Sequence, residues 1–245
     1  MAPFELGPQR IEVRRDPVPH VVIDDVFGAD AAAAMLSHVQ ALEPAFAPAG
    51  IGRDGELATM RRNLTCGVDA HFFEPDDEAL GFEDRIARRA ERSILLASID
   101  GLLMSGELRE VFDGAPHPLC KLSDVNRWET QVSRYGAEGD AYDWHLDRIG
   151  NDDRVLSIAY YLFEEPRLFE GGELELTDAL VRRGELVSNG QVARVEPRHD
   201  RAVLFPSRAV HRVLATRAPD RFGAGRFSVN VFCGIAPGSP PGRVY

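Results

Sequence analysis

The 245-residue chain has no block of basic residues. Lys and Arg total 28 against 39 Asp and Glu, a net charge of -11. Such a chain is poorly suited to tracking nucleic-acid phosphates, so no nucleic-acid partner is expected. Cysteine is scarce: Cys66, Cys120 and Cys233 are odd in number and far apart. They show neither zinc-type pair spacing nor a disulfide framework, and three free thiols in a reducing compartment are expected. No apolar run approaches the ~20 residues that span a bilayer. Met1–Glu5 lacks the basic-then-apolar layout of a secretory signal. A cytoplasmic protein with no membrane partner is therefore expected. Internal repeats and low-complexity segments are also absent. With 44% hydrophobic residues, the whole chain, 1–245, is expected to form one domain with a substantial core.

What is present changes character near residue 120. Before it, weak alternation over residues 9–14 and the run Val21-Val22-Ile23 predict two short strands. Asp30 is placed to cap an Ala-rich helix reaching Leu42, and residues 43–58 read as a loop. From Glu78 to about Leu103, Phe82, Ile86, Ala90, Ile94 and Leu95 recur at helical spacing, and a short helix to Phe112 follows. These apolar stripes read as core-facing. From Lys121 onward, turn residues recur every ~8–12 positions, the rhythm of a sandwich or barrel. The predicted strands are 128–135, 143–147, 154–163, 172–177, 192–196, 201–205, 209–216 and 226–233. Gly171-Gly172 predicts a bend that needs glycine, and Ser188-Asn189-Gly190 a hairpin turn. Glu173 and Glu175 alternate with leucines and read as the polar face of a strand.

One motif carries chemistry. On a strand, residues i and i+2 share a face, so His145 and Asp147 can converge on one ion. With His211 from a distant strand they would form the two-histidine, one-carboxylate triad that holds non-haem Fe(II) and leaves positions open. Downstream stands Gly225-Arg226-Phe227-Ser228. A guanidinium forks two hydrogen bonds onto a carboxylate, which suits Arg226 to anchoring a dicarboxylate co-substrate. Ser228 and Asn230 would share its strand face. His20, His38, His71, His117 and His199 lack such a context.

These residues belong to a longer ordered series. It begins with Tyr135-Gly136-x-x-Gly139-x-x-Tyr142-x-x-His145-x-Asp147. Tyr160-Tyr161-Leu162, Gly171-Gly172-Glu173-Leu174, Ala202-Val203-Leu204-Phe205-Pro206-Ser207, His211-Arg212-Val213 and the Arg226 block follow. Across 131–234 the chain resembles the iron- and 2-oxoglutarate-dependent dioxygenases of the prolyl 4-hydroxylase type. Pro19–Phe27 resembles their opening strand. The resemblance implies a mainly β fold with a helical annex. Its core would be a jelly-roll-like double-stranded β-helix over about 121–235, with the helix-rich part, about 1–120, packed outside. It implies that His145, Asp147 and His211 bind the metal and that Arg226 joins them as a catalytic residue. Arg226, Ser228, Tyr135 and Asn230 would contact 2-oxoglutarate. The implied cofactors are Fe(II), 2-oxoglutarate and O2, with ascorbate as a reductant. The interval from His211 to Arg226 is longer than is usual and includes Arg217 and Arg221, which read as a loop insertion. Phe163 stands where many relatives are polar.

The implied reaction is hydroxylation of an unactivated C–H bond, with release of succinate and CO2. Retention of Asp147 favours hydroxylation over halogenation and leaves desaturation or cyclisation open. The first substrate reading is a small amino-acid-like or natural-product molecule. The second is a prolyl or other residue of a protein or peptide, and the third a non-catalytic β-helix binding module. The absence of an appended recognition domain favours the first. Arg61, Arg62 and Asn63 fall in a segment expected to fold over the site, with Tyr142 and Trp144 as packing or rim. Arg61, Arg62, Arg148, Arg217 and Arg221 are expected around the mouth, which would suit a carboxylate-bearing substrate. The alternative is that they pair with the chain's own carboxylates.

Overall fold

The computed structural model describes residues 10–50, 60–113, 119, 122–148, 153–182, 185–187 and 190–235. In chain order the first elements are β1 (Arg10–Arg14), β2 (His20–Asp24), α1 (Ala29–Ala41), β3 (Ala47–Pro48), β4 (Arg61–Arg62) and β5 (Leu64–Gly67). Four helices follow: α2 (Val68–Phe72), α3 (Phe82–Arg92), α4 (Ile94–Met104) and α5 (Gly106–Asp113). The remaining strands begin with β6 (Arg127–Tyr135), β7 (Asp140–His145), β8 (Arg154–Leu162), β9 (Glu170–Gly171), β10 (Leu174–Thr177) and β11 (Leu180–Arg182). They end with β12 (Glu185–Val187), β13 (Val192–Val195), β14 (Arg201–Pro206), β15 (Val210–Arg217) and β16 (Arg226–Gly234).

An eight-stranded sheet runs β1-β2-β14-β8-β16-β6-β5-β3, and a smaller sheet runs β13-β10-β15-β7-β4, with β9 also on β15. Successive strands alternate between the sheets and pair antiparallel, giving a double-stranded β-helix. The two-residue strand period then sorts side chains. Phe227, Val229, Val231 and Cys233 of β16 join Trp128, Val132, Leu156, Tyr160 and Leu204 in one core. Met35 and Val39 of α1 and Leu95, Ile99 and Leu102 of α4 complete it. On the opposite face Ala159, Tyr161, Val203 and Phe205 pack with Leu174, Leu176 and Val195 of the smaller sheet. The inward residues of β16, Arg226, Ser228, Asn230 and Phe232, line a cavity between the sheets.

Several expectations need correction. The helix expected to run from Glu78 to Leu103 is broken at Ser93, whose backbone is extended and whose Oγ caps α4 by accepting from Leu96 N at 3.3 Å. α3 is heavily charged and has no fully buried residue. Phe82 and Ile86 pack its apolar side against the core, and Arg89 forks onto buried Asp100 at 2.8 and 2.9 Å and also pairs with Asp69. Asp30 lies in the first turn of α1, whose N-cap is Gly28. The carboxylate of Asp200 instead accepts from Phe27 N at 3.0 Å, Gly28 N at 2.7 Å and the Tyr160 hydroxyl at 2.9 Å.

Glu175 does not face solvent. It is 3% exposed and is clamped by Arg194 and Arg212, its cross-strand neighbours, at 2.6 and 2.7 Å. Ser188 and Asn189 lie outside the described residues. β12 pairs with β11 and β13 with β10. Cys66 and Cys233 are buried, and Cys120 and His117 lie outside the described residues. Among the described residues, no helix is long and apolar enough to cross a membrane.

Asp100 concentrates the polar cost of the helical annex. It is 2% exposed and also accepts from Trp128 Nε1 at 2.7 Å. Removing one partner of such a buried pair leaves the other charge stranded, so Asp100→Ala is expected to cost about 3–5 kcal/mol in urea unfolding. A loss of about 1 kcal/mol or less would show that the pair behaves as a solvated one.

Candidate active site

β7 and β15 pair so that His145 and His211 stand directly opposite, and the ladder shifts register just beyond His211. Their ring centroids are 4.0 Å apart. Asp147 follows the end of β7, with carboxylate oxygens 3.8 Å from His145 Nε2 and 3.6 Å from His211 Nε2. The three prospective ligand atoms lie within 4.8 Å of one another. Each imidazole is tied to a carbonyl two residues earlier, His145 Nδ1 to Asp143 O at 2.8 Å and His211 Nδ1 to Ala209 O at 2.9 Å. A carbonyl only accepts, so Nδ1 carries the proton and Nε2 keeps its lone pair for a metal. Burial, and then the neighbouring His211, hold the His145 pKa well below 6.5, so its ring stays neutral. Arg154 Nη1 donates to Asp147 O at 3.1 Å and steadies the loop that carries the carboxylate.

Arg226 opens β16 and is 1% exposed. Its guanidinium lies between the rings of Tyr135 and Tyr161, 4.8 and 4.7 Å from their centroids. Among the described residues, Arg226 Nε and Nη1, the Tyr161 hydroxyl and Thr216 Oγ1 have no hydrogen-bond partner. Burying a charge without a counter-charge is costly. The donor set therefore fits a carboxylate entering from the cavity. Burial pushes both tyrosine pKa values up despite the cation beside them, so both hydroxyls remain protonated.

Gly171 and Gly172 shape this end of the site. Both have positive φ, 73° and 78°. A Cβ on Gly171 would meet Ala215 O at 2.0 Å, and one on Gly172 would sit 3.0 Å from Arg226 Cδ.

A polar relay follows along the inward face. Ser228 Oγ donates to Asn230 Oδ1 at 2.9 Å, and Asn230 Nδ2 to Ser133 Oγ at 2.8 Å. Arg61 donates to Gln131 Oε1 and to Asn63 Oδ1, both at 3.1 Å, and lies 4.7 Å from the centre of the Tyr142 ring. Tyr142 stacks on His145 with centroids 3.4 Å apart, and burial pushes its hydroxyl pKa up to about 12. The triad, Arg226 and this relay line one cavity of about 930 Å³. Its other end carries Arg127 paired with Asp153, Arg154 paired with Glu129 at 3.4 Å, and Phe232 beneath Arg154.

All seven residues singled out for metal or co-substrate, His145, Asp147, His211, Arg226, Tyr135, Ser228 and Asn230, line this cavity. The five arginines expected at the mouth are not gathered there. Arg61 lines the cavity, but Arg62, Arg148, Arg217 and Arg221 do not. Arg221 forks onto Glu164 at 2.7 and 2.5 Å, and exposed Arg217 pairs with Glu138 at 3.5 Å. Short surface pairs won over convergence, the alternative given for them. Trp144 faces away from the cavity and packs under Arg212. Sequence reasoning missed Arg127, Arg154, Tyr161 and Phe232. Phe232 was within reach, since it lies an even number of residues from Arg226. Tyr161 was hidden because both faces of β8 are apolar.

The comparisons with known proteins agree with this geometry. Residues 130–234 match the 2OG-Fe(II) oxygenase superfamily. Over 111 residues the sequence is 32% identical to an uncharacterized PKHD-type hydroxylase of Synechocystis. That match covers 44% of this chain and 36% of the relative, so it spans about a third of the relative's length.

Among solved structures, the fold is similar to a prolyl hydroxylase in complex with a hypoxia inducible factor oxygen degradation domain peptide fragment from Trichoplax adhaerens. The TM-score is 0.57 at 18% identity, covering 88% of this chain and 83% of that one. A Pseudomonas putida prolyl-4-hydroxylase gives a TM-score of 0.50 at 21% identity, covering 89% and 94%. Residues 130–234 are thus similar to the 2OG-Fe(II) oxygenase superfamily, and they hold the His-Asp-His cluster. The fold is similar to that of the solved prolyl hydroxylases.

Gly172 offers a direct test of how tightly this end is built. Gly172→Ala is expected to cost about 1–2 kcal/mol through left-handed strain and also to displace Arg226, weakening 2-oxoglutarate binding. Gly28 has φ 80° and open space around its Cβ position. Gly28→Ala should therefore show the strain in thermal unfolding while calorimetry finds 2-oxoglutarate binding intact. Equal binding by both variants would contradict the close packing at Gly172.

Proposed function

We propose that this chain is an Fe(II)- and 2-oxoglutarate-dependent hydroxylase of an unactivated C–H bond in a small amino-acid-like or natural-product substrate. The observation that carries the reading is a buried, partnerless Arg226 lining the same cavity as an open His-Asp-His cluster. His145, Asp147 and His211 would hold the iron through Nε2, a carboxylate oxygen and Nε2. Arg226, with the Tyr135 hydroxyl as a further donor, would hold the distal carboxylate of 2-oxoglutarate, and Ser228 would take up the co-substrate when its proton turns from Asn230 Oδ1. Bound together, iron and co-substrate supply the oxidising power for hydroxylation, with succinate and CO2 as by-products.

The chain's own residues provide the rest. The Nδ1 tethers keep both imidazoles aimed, each with Nε2 toward the cluster. The Tyr135 and Tyr161 rings exclude water from the Arg226 charge. Substrate would occupy the end lined by Arg61, Glu129, Arg154 and Phe232. Charges of both signs beside an apolar ring suit an amino-acid-like molecule. Among the described residues, the hydrogen-bond partners of Arg61 are all neutral: Asn63, Gln131, Ser133 and the Gly50 carbonyl. Arg61 is therefore the group best placed to take a substrate carboxylate.

A second reading is hydroxylation of a prolyl or other residue within a peptide. A cavity of about 930 Å³ exceeds what a five-carbon diacid fills, and a prolyl hydroxylase of this fold has been seen with a bound peptide.

Succinate release from 2-oxoglutarate with Fe(II) discriminates these readings. Free amino acids or short acids should stimulate turnover and their amides should not. Stimulation by peptides alone would favour the second reading, and no stimulation by either class would count against both. Metal analysis should find Fe(II) binding lost in His145→Ala, Asp147→Ala and His211→Ala; retention in all three would remove the triad assignment. Arg226→Ala should cost about 2–5 kcal/mol of 2-oxoglutarate binding. Arg221→Ala, outside the cavity, should cost little, and the reverse ranking would relocate the anchor.

A further inference from the structure

The stretch between His211 and Arg226 is long, and its far end feeds directly into Arg226. Arg226 pairs with Tyr135 of β6, but the ladder to β8 begins only at Phe227. One ladder contact and the incoming loop therefore define where its backbone sits. Its Nε and Nη1 have no protein hydrogen bond to hold them. The Tyr135 and Tyr161 rings flank the guanidinium, and the loop sets the backbone from which it reaches them.

Two residues outside the cavity fix that loop. Arg134, 8% exposed, donates Nε to Phe222 O at 2.8 Å and Nη2 to Arg221 O at 3.1 Å. Its guanidinium also lies over the Phe222 ring, 4.9 Å from the centroid. That ring packs against Phe46 at 5.2 Å and Phe227 at 5.4 Å. Gly225 completes the approach, since a Cβ there would lie 3.0 Å from Tyr135 O and 3.1 Å from Arg134 Nε. Burial pushes the Arg134 pKa down, a measure of what it costs to keep a cation there.

We infer that Arg134 and Phe222 form a latch that sets the position of Arg226 and thereby the affinity for 2-oxoglutarate. The inference rests on reading Arg226 as the co-substrate anchor. Arg134 touches neither iron ligand nor cavity in this structure, so it is a positioning residue acting through β16. The inserted loop is thus pinned to the helical side of the large sheet, and its length serves the placement of one side chain. The outer tie, Arg221 to Glu164, is exposed and dispensable for this purpose.

The test is anaerobic calorimetric titration of 2-oxoglutarate into the Fe(II)-loaded full chain, with Fe(II) affinity measured separately. Arg134→Met and Phe222→Ala should each raise the 2-oxoglutarate Kd about ten- to a hundredfold, the penalty for a small misplacement of a binding group. Fe(II) affinity should stay at the parent value, and kcat at saturating 2-oxoglutarate should be retained while KM rises. Arg221→Ala should bind as the parent does. If Arg134→Met does not fold, Arg134→Lys, which keeps the charge but loses the fork, supplies the same comparison.

Folded variants that bind 2-oxoglutarate like the parent would overturn the latch. So would a rise in Kd matched by an equal loss of Fe(II) affinity, which marks general loosening. Arg226→Ala separates the two levels. If it binds normally, the anchor assignment fails and takes the latch with it. If it binds weakly while the latch variants bind normally, the latch alone fails.

Discussion

The pairing of β7 with β15 is the constraint on which the site depends. It sets His145 against His211 across one rung of an antiparallel ladder, with Asp147 just past the strand end. No local sequence signal could bring together residues so far apart in the chain. The large sheet and its helical backing give that ladder a fixed partner surface. The smaller sheet is thinner and is braced from outside by the Glu175–Arg212–Arg194 cluster, whose Arg212 also packs on Trp144 beside His145. The imidazoles are thus fixed from behind by backbone carbonyls and supported by an ionic and aromatic outer layer.

The second organising fact is the uneven distribution of hydrogen bonds. Arg134 and Arg201 are buried and supplied with acceptors, whereas Arg226, deeper still, lacks them at two of its nitrogens. A protein that satisfies its other deep cations and leaves this one short stores an attraction for an incoming anion. Cation–ring contacts hold the charge without consuming its donors. Glycines at 171 and 172 are the steric counterpart of that arrangement, since the backbone crosses where side chains would collide.

Much of this was legible in the residues. The strands from 127 onward follow two-residue alternation and regular turn spacing, signals that depend on local geometry. His145 and Asp147 were readable because i and i+2 share a face. The joining of His211 and Arg226 to them came from the ordered resemblance, not from spacing. What stayed hidden was set at long range. The carboxylate of Asp200 holds Phe27 N and Gly28 N just ahead of α1, which has no side-chain cap, so the expected cap at Asp30 was wrong. Glu175 alternates like an exposed residue, yet two cross-strand arginines bury it. Arg217 and Arg221 were expected at the mouth, but each found a nearby glutamate instead. The break at Ser93 was missed because both flanking segments keep helical periodicity.

The Asp200 tie ahead of α1 has a bearing on how the molecule comes apart. Its contact with Phe27 N joins residues 173 positions apart. Closing so long a loop carries an entropy cost that only an assembled sheet can offset. The start of α1 is therefore not an independent helix end that frays and re-forms locally. Tyr160 shares the same carboxylate from β8, a central strand of the large sheet. The approach to the N-terminal helix and the large sheet thus share one carboxylate, and loss of the first helix's anchor is felt in the strand next to β16.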